Sequence, residues 1–386
     1  MSRDSFGSRF GALVAMAGSA VGLGNLWRFP YLVGENGGAA FIIVYIILSF
    51  LICLPIFISE FVIGRRSQKN AYAAFRDLSG GSAWRWVGLF TIIVPLVVLS
   101  YYSVIGGWVI KYFVTFISGG AHAAADDSYF TGFIGSPVEP LGWFFLFIAL
   151  TSVIVLFSVE KGVEKVSKFM MPILAVLTIG VAIYVVTRPG AMDGVLYYIK
   201  PNFKDFSPTT ILAAMGQLFY SMSLAMGIMV TYGSYMKKDN NLESSVRQIE
   251  IFDTVVAFLA GAMIIPAVYV FMGTEGMQAG PSLMFVSLPK VFAAMGNVGN
   301  IIGCLFFAMV LFAALTSSVS VMEAIISSLM DQFKWSRKKA VIIETIIALV
   351  AGVLVCLGYN LFYFEATLPN GSTAQILDIM DYISNN

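Results

Sequence analysis

Glu60, Asp253 and Glu323 are carboxylates set inside long apolar runs, and Arg28 stands near the end of another. A charge at membrane depth is expensive and is by default a functional candidate with a partner to be found. Glu60 sits close to one end of its run, where bonding to interrupted backbone and a direct chemical role are both open. Asp253 has the position of an acidic residue near a helix start, which needs no special explanation, or of an ion ligand. Glu323 fits either bonding to neighbouring hydroxyls or proton binding. Arg28 reads as an arginine reaching the membrane surface, or as a gate paired with an acid across a pore; Asp378 and Asp381 are the candidate acids. Thr316, Ser317 and Ser318 either pack and bond the preceding turn or act as hard, neutral ligands for an alkali cation. Tyr101 and Tyr102 read first as core or interface aromatics.

The backbone carries chemistry too. Residues 16–30 read MAGSAVGLGNLWRFP, with Gly18, Gly22 and Gly24 inside an apolar run and Ser19 and Asn25 among them. A helical glycine costs about 1 kcal/mol relative to alanine, so three within seven residues mark a helix built to break. Broken backbone in a membrane is tolerated only where it lines a cavity or holds a ligand. A second weakened segment is GQLFYSMSLAMG, residues 216–227, with Ser221 and Ser223 between Gly216 and Gly227. The GLG at 22–24 is no phosphate loop, since no strand precedes it and no Gly-Lys-Ser/Thr follows.

Membrane spans must position these groups. The 386 residues are 58% hydrophobic and only 12% charged, with mean hydropathy +0.84. Soluble domains carry about 25% charged residues. At about 20 apolar residues per span, nine spans are expected, at 10–33, 39–64, 86–116, 141–158, 166–187, 210–236, 249–273, 297–330 and 338–364. The first is too long and glycine-broken for a cleaved signal. One set of connections holds 17 Lys and Arg and the other six, which puts the N-terminus in the cytoplasm. The two broken segments fall in spans one and six. Interrupted spans at matching positions of two halves point to a transporter binding site. Five spans being odd, the second half inserts upside-down. The expected fold is an all-α polytopic membrane protein with a 5+5 inverted repeat, one domain over 1–386, its halves at about 9–187 and 210–386. ILDIMDYISNN at the end resembles the first turns of a tenth helix left incomplete, so a fragment, a deletion form or a covering subunit is expected.

Other classes are disfavoured. Balanced charge, 23 basic against 22 acidic, gives no field for nucleic acid. The only histidine, His122, lies in a loop, so an intramembrane Ser–His hydrolase lacks its base. Cys53, Cys304 and Cys356 sit in apolar runs and read as small hydrophobes.

The motifs AVGLGNLWRFPY (20–31), ENGGAAF (35–41), GQLFYSMS (216–223) and ALTSSVSVME (314–323) together resemble the sodium-coupled neurotransmitter transporters, and within them the bacterial amino-acid symporters. The resemblance covers essentially the whole chain. It implies two sodium sites. One takes the Ala20 carbonyl, Asn25, Ser221, Asp253 and the substrate carboxylate. The other takes the carbonyls of Gly18, Val21 and Ala313 with the hydroxyls of Thr316 and Ser317. The amino acid is expected across the two breaks, its carboxylate at Tyr102 and the amides around Gly22 and Gly24, its ammonium near Ala20, Tyr220 and Ser223. Val98, Tyr102, Tyr220, Met226, Ser317 and Val321 would wall the side-chain pocket, so a neutral, hydrophobic or aromatic substrate is expected. Arg28 and Asp381, with Tyr102 and Tyr220, resemble an outer gate; Arg3, Phe6, Tyr235 and Asp331 resemble an inner one.

The departures matter as much. Asp253 stands where many animal members carry asparagine, and Ala257 where chloride-dependent members carry serine. Although Tyr45, Gln217 and Ser221 would suit a chloride site, chloride is not expected. Phe6 replaces the family's usual tryptophan, and family members have eleven or twelve spans. Sodium-coupled uptake across a bacterial inner membrane is the expected function, with a non-transporting binding form as the alternative and a homo-oligomer left open. The Asn370-Gly371-Ser372 sequon is expected to be chance.

Overall fold

The computed structural model describes residues 4–80, 82–204, 206–237, 240–273, 281–369 and 373–385. Arg3 and the 370–372 sequon lie outside them. Among the described residues seven helices are long and apolar enough to cross a membrane: Ala39–Ser67, Val87–Ile117, Glu139–Leu156, Glu160–Val186, Leu242–Met272, Asn297–Phe333 and Arg337–Leu357. These correspond to expected spans two to five and seven to nine. Span one comes as two helices, Arg9–Ala20 and Gly24–Glu35, bent by 49°. Span six is also divided, into Pro208–Ser221 and Ile228–Tyr235.

Three expectations need correction. Span seven begins at Leu242, capped by the Asn241 side chain, rather than near 249. Asp253 therefore lies about three turns inside the helix, and the helix-start explanation fails. Span nine stops at Leu357 instead of 364. The fold is also not wholly α-helical: Ala366–Thr367 pairs antiparallel with Thr373–Ala374. After that hairpin, the helix Ile376–Asn385 occupies the place of the expected tenth.

The spans bury one face and leave aliphatic side chains on the other. Leu51, Val176 and Val350 are 60–70% exposed, a surface suited to lipid, where apolar exposure carries no penalty. Glycines bring the inner faces together. A Cβ on Gly233 would lie 2.7 Å from the Phe61 carbonyl oxygen, and one on Gly64 would strike the Val230 carbonyl oxygen. Span two and the second half of span six therefore touch backbone to backbone.

The second break is held from span two. Ser223, Ala225 and Gly227 have φ of 53°, 63° and 71°, the left-handed region, which costs a non-glycine residue about 1–3 kcal/mol. Glu60 of span two accepts the Ala225 amide at 2.7 Å. Of its two open roles, bonding to interrupted backbone is the one the geometry displays. Before span one, Glu164 accepts Gly7 N at 2.6 Å and the Ser8 hydroxyl at 2.8 Å, while Ser8 caps the helix through Gly11 N.

A valine at Gly233 should force spans two and six apart, costing about 1–3 kcal/mol. Gly233→Val should lower the thermal midpoint in detergent; Gly180→Ala, where nothing lies within 4 Å of the added methyl, should not. Equal midpoints for the two variants would show that the glycine contact does not hold these spans together.

Candidate functional site

Span one stops being helical at Val21, whose ψ is 106°, and resumes in a wide turn over Gly24–Arg28. The loosened backbone is fully buried. Asn25, at the start of that turn, accepts Gly22 N at 3.1 Å and donates to Asp253 Oδ1 at 2.8 Å. Ser221, the last helical residue before the other break, donates to both Asp253 oxygens at 2.9 and 3.0 Å. Asn25, Ser221 and Asp253 thus meet, one from each broken span and one from span seven. Among the described residues no basic side chain pairs with Asp253, whose side-chain hydrogen-bond partners are Asn25 and Ser221. A buried carboxylate held only by neutral donors leaves charge for a cation to compensate, and its oxygens are hard ligands suited to an alkali ion.

A second group of oxygens lies on the opposite side of the span-one break. Ser317 donates to the carbonyls of Gly18 at 3.1 Å and Val21 at 3.2 Å. Thr316 Oγ1 lies 2.8 Å from the Phe312 carbonyl and 3.2 Å from that of Ala313. All five residues expected for the second sodium site are therefore neighbours. Gly18 and Ala20 close the first half of span one, where the helix dipole is negative.

Between the two groups is a cavity of about 30 Å³ lined by all ten residues expected to meet a substrate, together with Ser19, Leu23 and Ser221. That is room for about two waters, so a larger guest must part the walls. The glycines are needed here because backbone approaches side chains closely: a Cβ on Gly22 would lie 2.7 Å from Ser317 Oγ, and one on Gly24 2.8 Å from the Tyr220 ring. Two lining groups escape a reading by residue type. Leu23 contributes its amide, which donates to the Tyr102 hydroxyl at 3.2 Å. Ser19 accepts Ser223 Oγ through its carbonyl at 3.0 Å; its place inside the glycine-rich break was the available signal. Gln217 bridges the breaks by donating to the Gly24 carbonyl at 2.9 Å.

Above the cavity, Arg28 lies over the Tyr220 ring at 5.3 Å and reaches the Gly216 carbonyl at 3.4 Å. Tyr31 and Asp381 are among the groups acting on it. Below, toward the basic loops, Phe6 is buried edge-on to Tyr232 and Tyr235, with ring centroids at 5.6 and 6.2 Å. Asp331 accepts both the backbone and the side-chain amide of Asn70, at 3.2 and 2.7 Å. Tyr235 donates to the buried Glu323 at 2.7 Å, and Arg337 grips the same carboxylate through contacts of 2.7 and 2.9 Å. Arg337 also reaches Asp4 at 2.6 Å. Arg337 and Asp4 were not among the expected gate residues. They line a basic-side vestibule of about 380 Å³ with Tyr235 and Asp331.

The chain is similar to several known proteins. A sodium-dependent transporter of Bacillus subtilis, YhdH, is 38% identical over 92% of this chain and 78% of its own length. A sodium-dependent transporter of Haemophilus influenzae is 36% identical over the whole chain and 86% of its own. The crystal structure of MhsT in complex with L-phenylalanine superposes with a TM-score of 0.91 at 40% identity, covering 100% of this chain and 87% of that one. Residues 3–131 and 135–377 match the sodium:neurotransmitter symporter family, and the chain belongs to it.

Proposed function

We propose that this multi-pass membrane protein couples the entry of sodium to uptake of a neutral, hydrophobic or aromatic amino acid by alternating access. The carrying observation is Asp253: a buried carboxylate with no basic partner among the described residues, gripped by Asn25 and Ser221 from the two broken spans. A cation bound there ties both breaks together and compensates the charge. Two sodium ions are expected, one at Ala20, Asn25, Ser221 and Asp253, the other at Gly18, Val21, Ala313, Thr316 and Ser317.

The substrate would lie in the cavity, its carboxylate completing the first sodium site and its side chain against Val98, Met226 and Val321. Those three walls are apolar, and the neighbouring MhsT structure holds L-phenylalanine; both favour this substrate class. Mutual ligation accounts for coupling, since each ligand completes the other's site. Arg28 and Asp381 with Tyr102 and Tyr220 close the path above; Arg3, Phe6, Tyr235 and Asp331 close it below. The basic side faces the cytoplasm of a bacterial cell, as the distribution of Lys and Arg favours, and the halves carrying spans one and six form an inverted repeat.

Three measurements test the reading. In vesicles, labelled phenylalanine should accumulate with an inward sodium gradient and stop when an ionophore collapses it; accumulation indifferent to sodium would remove the mechanism. Asp253→Ala should weaken sodium-dependent substrate binding at least about 100-fold, the equivalent of about 3 kcal/mol for undoing a buried charged site. Unchanged binding would dismiss Asp253 as a ligand. Replacing chloride with gluconate should leave uptake unchanged, because the fixed charge of Asp253 stands beside the position an anion would take. Loss of uptake on that exchange would require a chloride site.

A further inference from the structure

Neither carboxyl oxygen of Glu344 has a hydrogen-bond partner among the described residues, and the side chain is fully buried. It lies about two turns into span nine, on the buried stripe of Ala340, Ala348 and Gly352. Glu344 is thus a long polar side chain on a face of small residues. Gly352 shows how close that face comes to span four: an added Cβ would fall on the Phe144 ring. Farther along, Ser152 of span four meets the Thr345 hydroxyl at 2.8 Å. These contacts set an antiparallel register that brings Glu344 level with Thr151 and Ser152. Both hydroxyls are engaged, Thr151 with the Phe147 carbonyl and Ser318, Ser152 with the Ile148 carbonyl and Thr345.

No charge compensates this carboxyl. Spans three, four and eight and the helix Ile376–Asn385 pack against span nine. Lys111 of span three and Glu139 of span four pair with each other at 2.5 Å. On span eight, Glu323 is bound by Arg337 and Asp331 by Asn70. Asp378 accepts Gln375 N on the last helix, where Asp381 also lies. On span nine itself Lys338 is exposed and Lys339 stands over the Trp335 ring. Among the described residues none of them bonds to Glu344. An ionised carboxylate buried without a counter-charge or a donor costs several kcal/mol. A metal cation needs several oxygen ligands, and the hydroxyls at this level are committed elsewhere. A proton needs one oxygen.

We propose that Glu344 is a proton-binding site at the interface of spans four and nine, apart from the sodium ligands, held as the neutral acid in this conformation. One O–H bond forms on the carboxylate and one proton leaves the solvent.

Infrared difference spectroscopy on the full chain in lipid nanodiscs at neutral pH tests it. Subtracting Glu344→Gln from the parent should reveal a lost carbonyl band of an un-ionised carboxylic acid, with no loss of carboxylate absorption. A lost carboxylate band would overturn the proposal. Should the glutamine variant fail to fold, Glu344→Asp serves: its un-ionised acid band should shift in frequency and persist. Replacement of that band by carboxylate absorption would overturn the proposal equally.

Discussion

A peptide group inside a bilayer must be hydrogen-bonded by the protein, because lipid offers nothing in its place. Two helices of this chain are broken at membrane depth, and the arrangement around them follows from that requirement. Gly22 N goes to Asn25, Leu23 N to Tyr102, the carbonyls of Gly18 and Val21 to Ser317, and that of Gly24 to Gln217. On the other side, Ala225 N goes to Glu60 and the Ser19 carbonyl to Ser223. Three of the side chains that mend the backbone, Tyr102, Ser317 and Ser223, also wall the cavity.

This overlap explains the composition of the site. A group that satisfies an amide or carbonyl when the cavity is small is already in position to coordinate a guest in its stead. Hydroxyls and carboxamides can do both, because they accept and donate. Asp253 differs, since it can only accept while ionised. Its donors Asn25 and Ser221 are neutral and bring no opposite charge. Glu323, by contrast, is gripped by the cationic Arg337 as well as by the Tyr235 hydroxyl, so its charge is already matched.

How much of this was legible depended on whether a feature was local in sequence. The spans followed from apolar run length, because bilayer thickness fixes it. The first break followed from three glycines within seven residues. Span seven was misjudged at its start because Leu242–Gln248 is polar yet helical; hydropathy registers the bilayer, and the helix runs beyond it. The Asp4–Arg337–Glu323 clamp was missed because its members come from opposite ends of the chain, and nothing about Asp4 alone announces a partner. The Leu23 amide was missed because residue type says nothing about a backbone group released from a helix.

Glu60 and the packing of Gly64 on Val230 and of Gly233 on Phe61 have a mechanical consequence. Span two grips span six at two heights, once through a carboxylate on the break and once through backbone pressed on backbone. A pair fixed at two points cannot slide or swivel independently. The lower half of span six and span two are therefore one packed unit, and through Glu60 that unit also holds the six-residue break above it, Met222–Gly227.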